Sequence, residues 1–158
     1  MTGSLSSVAS NGSLRILDTS EVVFSLAPAA PCTEAMVVLV LSAPRNTDKR
    51  QLMRARTRGE AGTRTVFLLG ATEAAQQARL EAEHREHGDI VQVSGGLKAL
   101  IELLHHHITP AQATVPDSYD TLSYKSLFGF LWVNLHCPRA LYVTKTDDDV
   151  TLDLAKVT

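Results

Sequence analysis

Short segments rich in aliphatic and β-branched residues predict four strands, and segments with helical spacing of apolar residues lie between them. The first run, Met36–Leu41, is aliphatic throughout, which is typical of a strand buried on both faces of a parallel sheet. The other predicted strands are Thr65–Gly70, Asp89–Val93 and Ala140–Thr146. Helices are predicted over Thr47–Arg58, Thr72–His87, Leu97–His107 and Asp117–His136, with Thr72 as an N-cap and Gly88 as the residue that ends its helix.

The resulting order, β-α-β-α-β-α-α-β, predicts an α/β fold in which a mostly parallel sheet carries helices on both faces. Residues 1–34 are rich in Ser, Ala and Pro, which predicts a disordered or stem-like tail. Within it, Glu21–Leu26 has the pattern of a weak strand. We therefore expect the ordered part to begin near Met36 and to form one domain over residues 35–158.

Three adjacent carboxylates, Asp147, Asp148 and Asp149, follow the last predicted strand and are called here the acidic triplet. Two like charges 4 Å apart repel by about 4 kcal/mol at an effective dielectric of 20, so we expect a cation to compensate them. A hard divalent ion with oxygen ligands is the natural choice, and parallel α/β folds bind ligands at the carboxyl ends of their strands. The alternative is a solvated acidic turn, and the triplet alone does not separate the two.

Other metal- and phosphate-binding patterns are not supported. An EF-hand loop that begins at Asp147 requires Gly at its sixth position and Glu at its twelfth, where this chain has Leu152 and Thr158. No G-x-x-x-x-G-K-[ST] loop occurs in the sequence. The run His105–His107 is not expected to hold a metal, because consecutive helical residues point in different directions. The basic residues between positions 45 and 58 are candidates either for phosphate contacts or for a solvated helix face.

Composition excludes some classes of partner. Of the 158 residues, 44% are hydrophobic and 20% are charged, and the net charge is −2. This balance gives no basis for nucleic-acid binding, and no apolar stretch reaches the roughly 18–20 residues that span a bilayer. Cys32 and Cys137 form no CxxC motif, so the sequence leaves open whether they are free, paired with each other or paired elsewhere.

Several segments in fixed order carry a resemblance to a known family. They are Val38–Pro44 with Arg50, Arg64–Gly70, Gly88–Gln92, Asp117–Ser126 with Trp132, Cys137–Tyr142 and Lys145–Val150. With these segments, the chain from about Val37 onward resembles the β-1,3-galactosyltransferase-like family, glycosyltransferase family 31. The acidic triplet then corresponds to the family's DxD motif.

The resemblance implies a GT-A-like, Rossmann-like fold and a UDP-sugar donor, usually UDP-galactose or UDP-N-acetylglucosamine. It implies inverting hexosyl transfer to a glycan acceptor of a glycoprotein or glycolipid, in protein glycosylation in the Golgi apparatus. Asp149 and Asp147 are the implied Mn²⁺ ligands. The implied nucleotide-sugar-binding residues are Asp147, Asp148, Ser42 and Arg50.

The chain also departs from the family pattern. Arg58 stands where the family has Trp, and residues 93–115 read as an insertion. The general base that inversion requires is expected beyond Thr158, and the usual membrane anchor is not found. We therefore expect an incomplete GT-A domain, its N-terminal nucleotide-sugar-binding half. The alternatives are an inactive fragment that acts as a non-catalytic binding or regulatory module beside a partner glycosyltransferase, and an unrelated doubly wound domain.

Overall fold

The computed structural model describes residues 5–8, 14–17, 23–95 and 122–152. The strands are β1 Leu5–Val8, β2 Leu14–Leu17, β3 Val23–Leu26, β4 Met36–Leu41, β5 Thr63–Leu69, β6 Ile90–Gly95 and β7 Tyr142–Asp147. Strands β1 and β2 form an antiparallel pair, and the other five form one sheet in the order β3-β6-β5-β4-β7. Within this sheet β3 is antiparallel to β6, and the remaining pairs are parallel.

The described helices are α1 Thr47–Thr57, α2 Ala74–His87 and α3 Leu122–His136. All six residues of β4 are buried, because alternate side chains pack on opposite faces of the sheet. Leu39 belongs to the core cluster that contains Trp132 of α3. Val38 belongs to a second cluster, with Met53 of α1 and Leu80 of α2. The sheet therefore lies between α3 on one face and α1 with α2 on the other, and none of the described helices is long and apolar enough to cross a membrane.

The predicted α/β class is confirmed, with a mostly parallel sheet and helices on both faces. This arrangement is compatible with the GT-A fold that the resemblance implies. The four predicted strands are all present, and their ends shift by at most two residues.

Of the two ends predicted for α2, the C-terminal one is confirmed and the N-terminal one is wrong. Thr72 is not the N-cap, because the chain stays extended through Glu73 and the helix begins at Ala74 without a side-chain cap. Gly88 ends the helix as predicted: its φ is 64° and its N–H donates to His84 O at 2.7 Å. This left-handed conformation favours glycine.

The main sheet begins earlier in the chain than the sequence indicates. Strand β3 confirms the weak strand predicted within Glu21–Leu26, and it pairs with β6. Cys32 is buried and forms a disulfide with Cys137, which settles the pairing that the sequence left open. The expectation that order begins near Met36 is therefore wrong, whereas the extent of the nucleotide-sugar-binding half remains a prediction.

Residues 96–121 lie outside the described part of the chain. The predicted helix Leu97–His107, with its histidine run, falls there. So do most of the predicted insertion and the first residues of the predicted helix Asp117–His136. These assignments stay predictions.

Candidate functional site

The strand register brings the acidic triplet beside the segment that follows β4. Leu41 is paired with Asp147 in the parallel strands β4 and β7, so Ser42 and Asp148 leave the sheet side by side. The Asp148 N–H donates to Leu41 O at 3.1 Å, which extends the ladder by one residue. The triplet therefore lies at the carboxyl edge of the sheet, where α/β folds bind ligands.

Asp148 is the carboxylate that the scaffold holds. Its Oδ2 accepts hydrogen bonds from Ser42 Oγ and Asn46 Nδ2, each at 2.8 Å, and its Oδ1 accepts one from Lys49 Nζ at 3.2 Å. The side chain is only 7% exposed. Burial alone would raise the pKa of Asp148, but the three hydrogen bonds outweigh burial and lower it. Asp148 is therefore an ionised structural anchor.

The outer two carboxylates have different surroundings. Asp149 is 67% exposed, and its Oδ2 lies 3.7 Å from Lys49 Nζ. Asp147 is also exposed, and its backbone carbonyl accepts a hydrogen bond from the Val150 N–H at 3.3 Å, which closes the turn. The side chains of Asp147 and Asp149 are therefore the ones that a ligand can reach.

Arg50 stabilises the turn after β4 through hydrogen bonds from its buried guanidinium. It has no exposed surface, and its guanidinium donates to Ser42 Oγ at 3.1 Å, Ala43 O at 2.7 Å and Pro44 O at 3.2 Å. It also forms a two-point ion pair with Glu83, with contacts of 2.7 and 2.6 Å. Arg50 thus fixes the position of Ser42 and, through Ser42, that of Asp148.

Glu83 joins α1 to α2 in the same network. Besides Arg50, its carboxylate accepts a hydrogen bond from Arg54 Nη2 at 2.8 Å, and Arg54 also binds Asp89 at 2.7 and 2.8 Å. Burial raises the pKa of Glu83, but the hydrogen bonds from Arg50 and Arg54 lower it by more. Because each buried charge has a partner, the network stays ionised at neutral pH.

Lys125 reaches the same turn from the other face of the sheet. It is a buried residue of α3, and its Nζ donates to Ser42 O at 3.0 Å. Ser42 is therefore held on its hydroxyl by Arg50 and on its carbonyl by Lys125, and it donates its own N–H to Leu68 O at 3.1 Å. The position of the hydroxyl that meets Asp148 is fixed from three sides.

A crevice of about 290 Å³ opens at the same edge of the sheet, next to Ser42. Its lining residues come from the turns after β4 and β5 and from the start of α2: Ala43, Pro44, Arg45, Ala71, Thr72, Glu73 and Gln76. Gln76 Nε2 donates to Pro44 O at 2.9 Å, which ties the two walls together. The crevice is large enough for part of a small ligand.

The structure divides the predicted site residues into two groups. Ser42, Arg50 and Asp148 meet in one buried hydrogen-bonded set, and Asp147 and Asp149 lie at its exposed rim. Sequence reasoning assigned no site role to Asn46, Glu83 or Lys125, which the structure places in this set. It named Lys49 only among the basic residues that are candidates for phosphate contacts or for a solvated helix face. Asn46 carried a usable signal, since it follows β4 directly and a parallel neighbour shares its carboxyl edge.

The exposed donors suit a hard divalent ion. Among the described residues, no group of three or more His, Cys, Asp or Glu side chains is arranged to hold a metal. One or two carboxylates are nevertheless sufficient where substrate phosphates and water complete the coordination shell. Asp149 and Asp147 supply such carboxylates, so the chemistry of the donor set fits a divalent metal ion.

The protein is an α/β protein with a mostly parallel sheet and with exposed carboxylates at the edge where such folds commonly bind ligands. Comparison with known proteins defines its family. The galactosyltransferase family model matches residues 104–158. β-1,3-Galactosyltransferase 4 of Mus musculus is 35% identical over 127 residues, which cover 77% of this chain and 29% of the relative. The Homo sapiens β-1,3-galactosyltransferase 4 is 33% identical over 141 residues, covering 82% and 32%.

A relative named for a different activity matches as well. UDP-GalNAc:beta-1,3-N-acetylgalactosaminyltransferase 1 of Rattus norvegicus is 32% identical over 144 residues, which cover 82% of this chain and 37% of the relative. The chain belongs to the β-1,3-galactosyltransferase-like family of glycosyltransferases. It spans about a third of the length of these relatives.

Proposed function

We propose that this chain forms the donor-binding part of a β-1,3-hexosyltransferase. Such an enzyme takes a UDP-sugar and passes its hexose to a glycan acceptor of a glycoprotein or glycolipid. The observation that carries the proposal is the contrast within the acidic triplet. Asp148 is locked into the scaffold, and Asp149 is 67% exposed beside it at the carboxyl edge of the sheet. Relatives named for galactosyl and N-acetylgalactosaminyl transfer support a UDP-hexose as the donor.

In this proposal the exposed carboxylates hold the metal and the buried groups orient them. Asp149 and Asp147 bind Mn²⁺, which when bound would neutralise charge on the diphosphate of the departing UDP. Asp148, held by Ser42 and Asn46, fixes the backbone between the two ligands. Such preorganisation removes the cost of assembling the site when the donor arrives.

Arg50 acts in this proposal through the turn and not by direct contact with the donor. Its guanidinium is fully buried and is engaged by Glu83 and by the carbonyls of Ala43 and Pro44. The role predicted from sequence, direct binding of the nucleotide sugar, is thus replaced by positioning of Ser42 and Asp148.

The crevice beside Ser42 is our candidate for the nucleoside part of the donor. It shares the carboxyl edge of the sheet with the triplet, and its wall contains the polar side chains of Thr72, Glu73 and Gln76. A nucleoside there places the diphosphate toward the triplet. No general base is assigned among the described residues, so the proposal for this chain covers donor binding and not the transfer step.

A Golgi location also belongs to the proposal. The disulfide between Cys32 and Cys137 joins the segment before β4 to the residue after α3. Structural disulfides persist in oxidising compartments such as the secretory pathway. The disulfide is therefore compatible with glycosylation in the Golgi lumen.

Ligand-observed NMR with the full chain tests the donor assignment. UDP-galactose, UDP-N-acetylglucosamine and UDP-N-acetylgalactosamine are each offered with a diamagnetic divalent ion, Mg²⁺, and displacement by UDP and by ADP is measured. We expect at least one of the three sugars to bind, UDP to displace it, and ADP to displace it at least tenfold less effectively. Equal displacement by ADP, or equal binding to Asp149→Ala, contradicts the proposal.

A further inference from the structure

Lys49 bridges two carboxylates of the acidic triplet. Its Nζ lies 3.2 Å from Asp148 Oδ1 and 3.7 Å from Asp149 Oδ2. The Lys49 side chain is 45% exposed, so water and ligands reach this ion pair. The ammonium therefore lies beside a carboxylate that is proposed to bind the metal.

The scaffold fixes the parts that carry this ion pair. Lys49 lies in the first turn of α1, and its neighbour Arg50 is buried and bonded to Glu83. Asp148 is held by Ser42 and Asn46. Because the backbone on both sides is fixed, the Lys49 ammonium stays within reach of Asp149. Rotation of the exposed Lys49 side chain is enough to move the ammonium away from Asp149.

We propose that Lys49 couples metal binding to nucleotide binding, an inference that rests on the proposed donor-binding function. In the ligand-free site the ammonium neutralises Asp149 and weakens the binding of Mn²⁺ alone. When a nucleoside diphosphate enters, its phosphate oxygens give the ammonium a new anionic partner, while another of its three N–H groups keeps the hydrogen bond to Asp148. Lys49 thus makes Mn²⁺ affinity depend on UDP and, by linkage, UDP affinity depend on Mn²⁺.

The expected size of the effect follows from charge and distance. A single positive charge roughly 6 Å from a divalent ion, in a site open to water, changes affinity by about three- to tenfold. Salt reduces this effect, because the pair is exposed. Removal of the Lys49 charge should therefore strengthen the binding of Mn²⁺ alone and weaken the enhancement of that binding by UDP.

Electron paramagnetic resonance of free Mn²⁺ measures this coupling in the full chain, with and without UDP. In Lys49→Gln we expect Mn²⁺ alone to bind about three- to tenfold more tightly and the enhancement by UDP to shrink by a similar factor. Lys49→Arg keeps the charge and is expected to resemble the wild type. The matched control is Arg85→Gln, which removes an exposed positive charge from the last turn of α2, away from the acidic triplet, where Arg85 makes no salt bridge with any described residue; it should change neither quantity.

The outcomes separate this inference from the proposed function. If the wild type shows UDP-enhanced Mn²⁺ binding that Asp149→Ala abolishes, and Lys49→Gln behaves like the wild type or binds Mn²⁺ more weakly, the Lys49 inference is overturned and the function stands. An equal effect of Arg85→Gln also overturns the inference. Tight Mn²⁺ binding in Lys49→Gln without UDP enhancement in the wild type contradicts the function and overturns the coupling as well. No Mn²⁺ binding by any folded variant overturns both.

Discussion

Asp148 and Asp149 are adjacent in sequence, but they contribute differently to stability. Asp148 accepts two hydrogen bonds from Ser42 and Asn46 and is nearly buried, whereas Asp149 contacts Lys49 in a largely exposed pair. A hydrogen-bonded buried carboxylate is costly to remove because its donors lose their acceptor. An exposed ion pair contributes little.

Substitution of each aspartate by alanine tests this difference. We expect Asp148→Ala to lower the free energy of unfolding by about 1–3 kcal/mol and Asp149→Ala to change it by less than about 0.5 kcal/mol. Urea unfolding at neutral pH measures both. Equal effects of the two substitutions would show that Asp148 is not the anchor that its hydrogen bonds indicate.

Glu83 is the residue on which the ion pairs of α1 and α2 depend. Glu83→Gln removes the negative charge that two buried or nearly buried arginines share, Arg50 and Arg54. Breaking a buried pair on one side costs about 3–5 kcal/mol, a large part of the stability of a typical domain. Chemical denaturation measures the loss, and Glu86→Gln, at a 73% exposed position of the same helix, is the matched control with an expected change below about 0.5 kcal/mol.

The lowered pKa values of Glu83 and Asp148 also predict acid sensitivity. A carboxylate whose pKa is lower in the folded state stabilises the fold at pH values above its unfolded pKa, about 4, and this contribution is lost as the pH falls through the folded pKa. The free energy of unfolding should therefore decrease below about pH 4. In Glu83→Gln the decrease should be shallower, and a profile as steep as that of the wild type would contradict the assignment.

The sequence indicated which residues meet at the site, but not which of their side chains are buried in the scaffold and which are exposed. The triplet was found because it follows a predicted strand, whereas Ser42 and Arg50 were named through the family resemblance. The burial of these side chains depends on contacts between segments that are distant in sequence, such as the ion pair between Arg50 of α1 and Glu83 of α2. No local pattern encodes that contact, so the burial of Arg50 could not be predicted from the sequence.

At the scale of elements, β4 was predictable because its continuous run of six aliphatic residues is distinctive. The start of α2 was not, since Thr72 has the chemistry of an N-cap but the chain remains extended for one more residue. Strand β3 is short and half-exposed, and its place in the sheet depends on pairing with β6, which lies far along the chain. Tertiary pairing of this kind overrides weak local propensity.

The close packing of α3 on the sheet predicts that a larger residue at Gly129 destabilises the fold, whereas helix propensity alone predicts that it stabilises the fold. A Cβ at Gly129 would clash with Leu68 Cδ1 and lie 3.2 Å from Leu39 Cδ1. Gly129→Val is therefore expected to destabilise the fold by about 1–3 kcal/mol through overpacking, although glycine is a poor helix former. Thermal unfolding checks this, with Asn134→Val at an exposed position of α3 as the control; a stabilised Gly129→Val would contradict the close approach.

At the scale of the whole molecule, the disulfide joins segments 105 residues apart in sequence. It closes a loop that contains most of the main sheet, and it joins the chain before β4 to the chain after α3. Cross-links over long loops restrict the unfolded state most. The disulfide is thus expected to stabilise the packing of α3 against the sheet. The hydrogen bond from Lys125 to Ser42 requires this packing.

Replacement of both cysteines by serine tests this contribution. The doubly substituted chain should lose about 2–5 kcal/mol of stability, and its unfolding temperature should no longer respond to a reducing agent. The wild type under reducing conditions should approach the same unfolding temperature. Unchanged stability in the substituted chain would show that the disulfide does not constrain the fold.

The most direct measurement is calorimetric titration of UDP into the full chain, with and without Mn²⁺, beside the same titrations of Asp149→Ala. The assignment of the acidic triplet as a donor site predicts binding that requires Mn²⁺ and is lost in the folded Asp149→Ala variant. Binding of UDP without Mn²⁺, undiminished binding in Asp149→Ala, or no binding by the folded wild type with Mn²⁺ would contradict it.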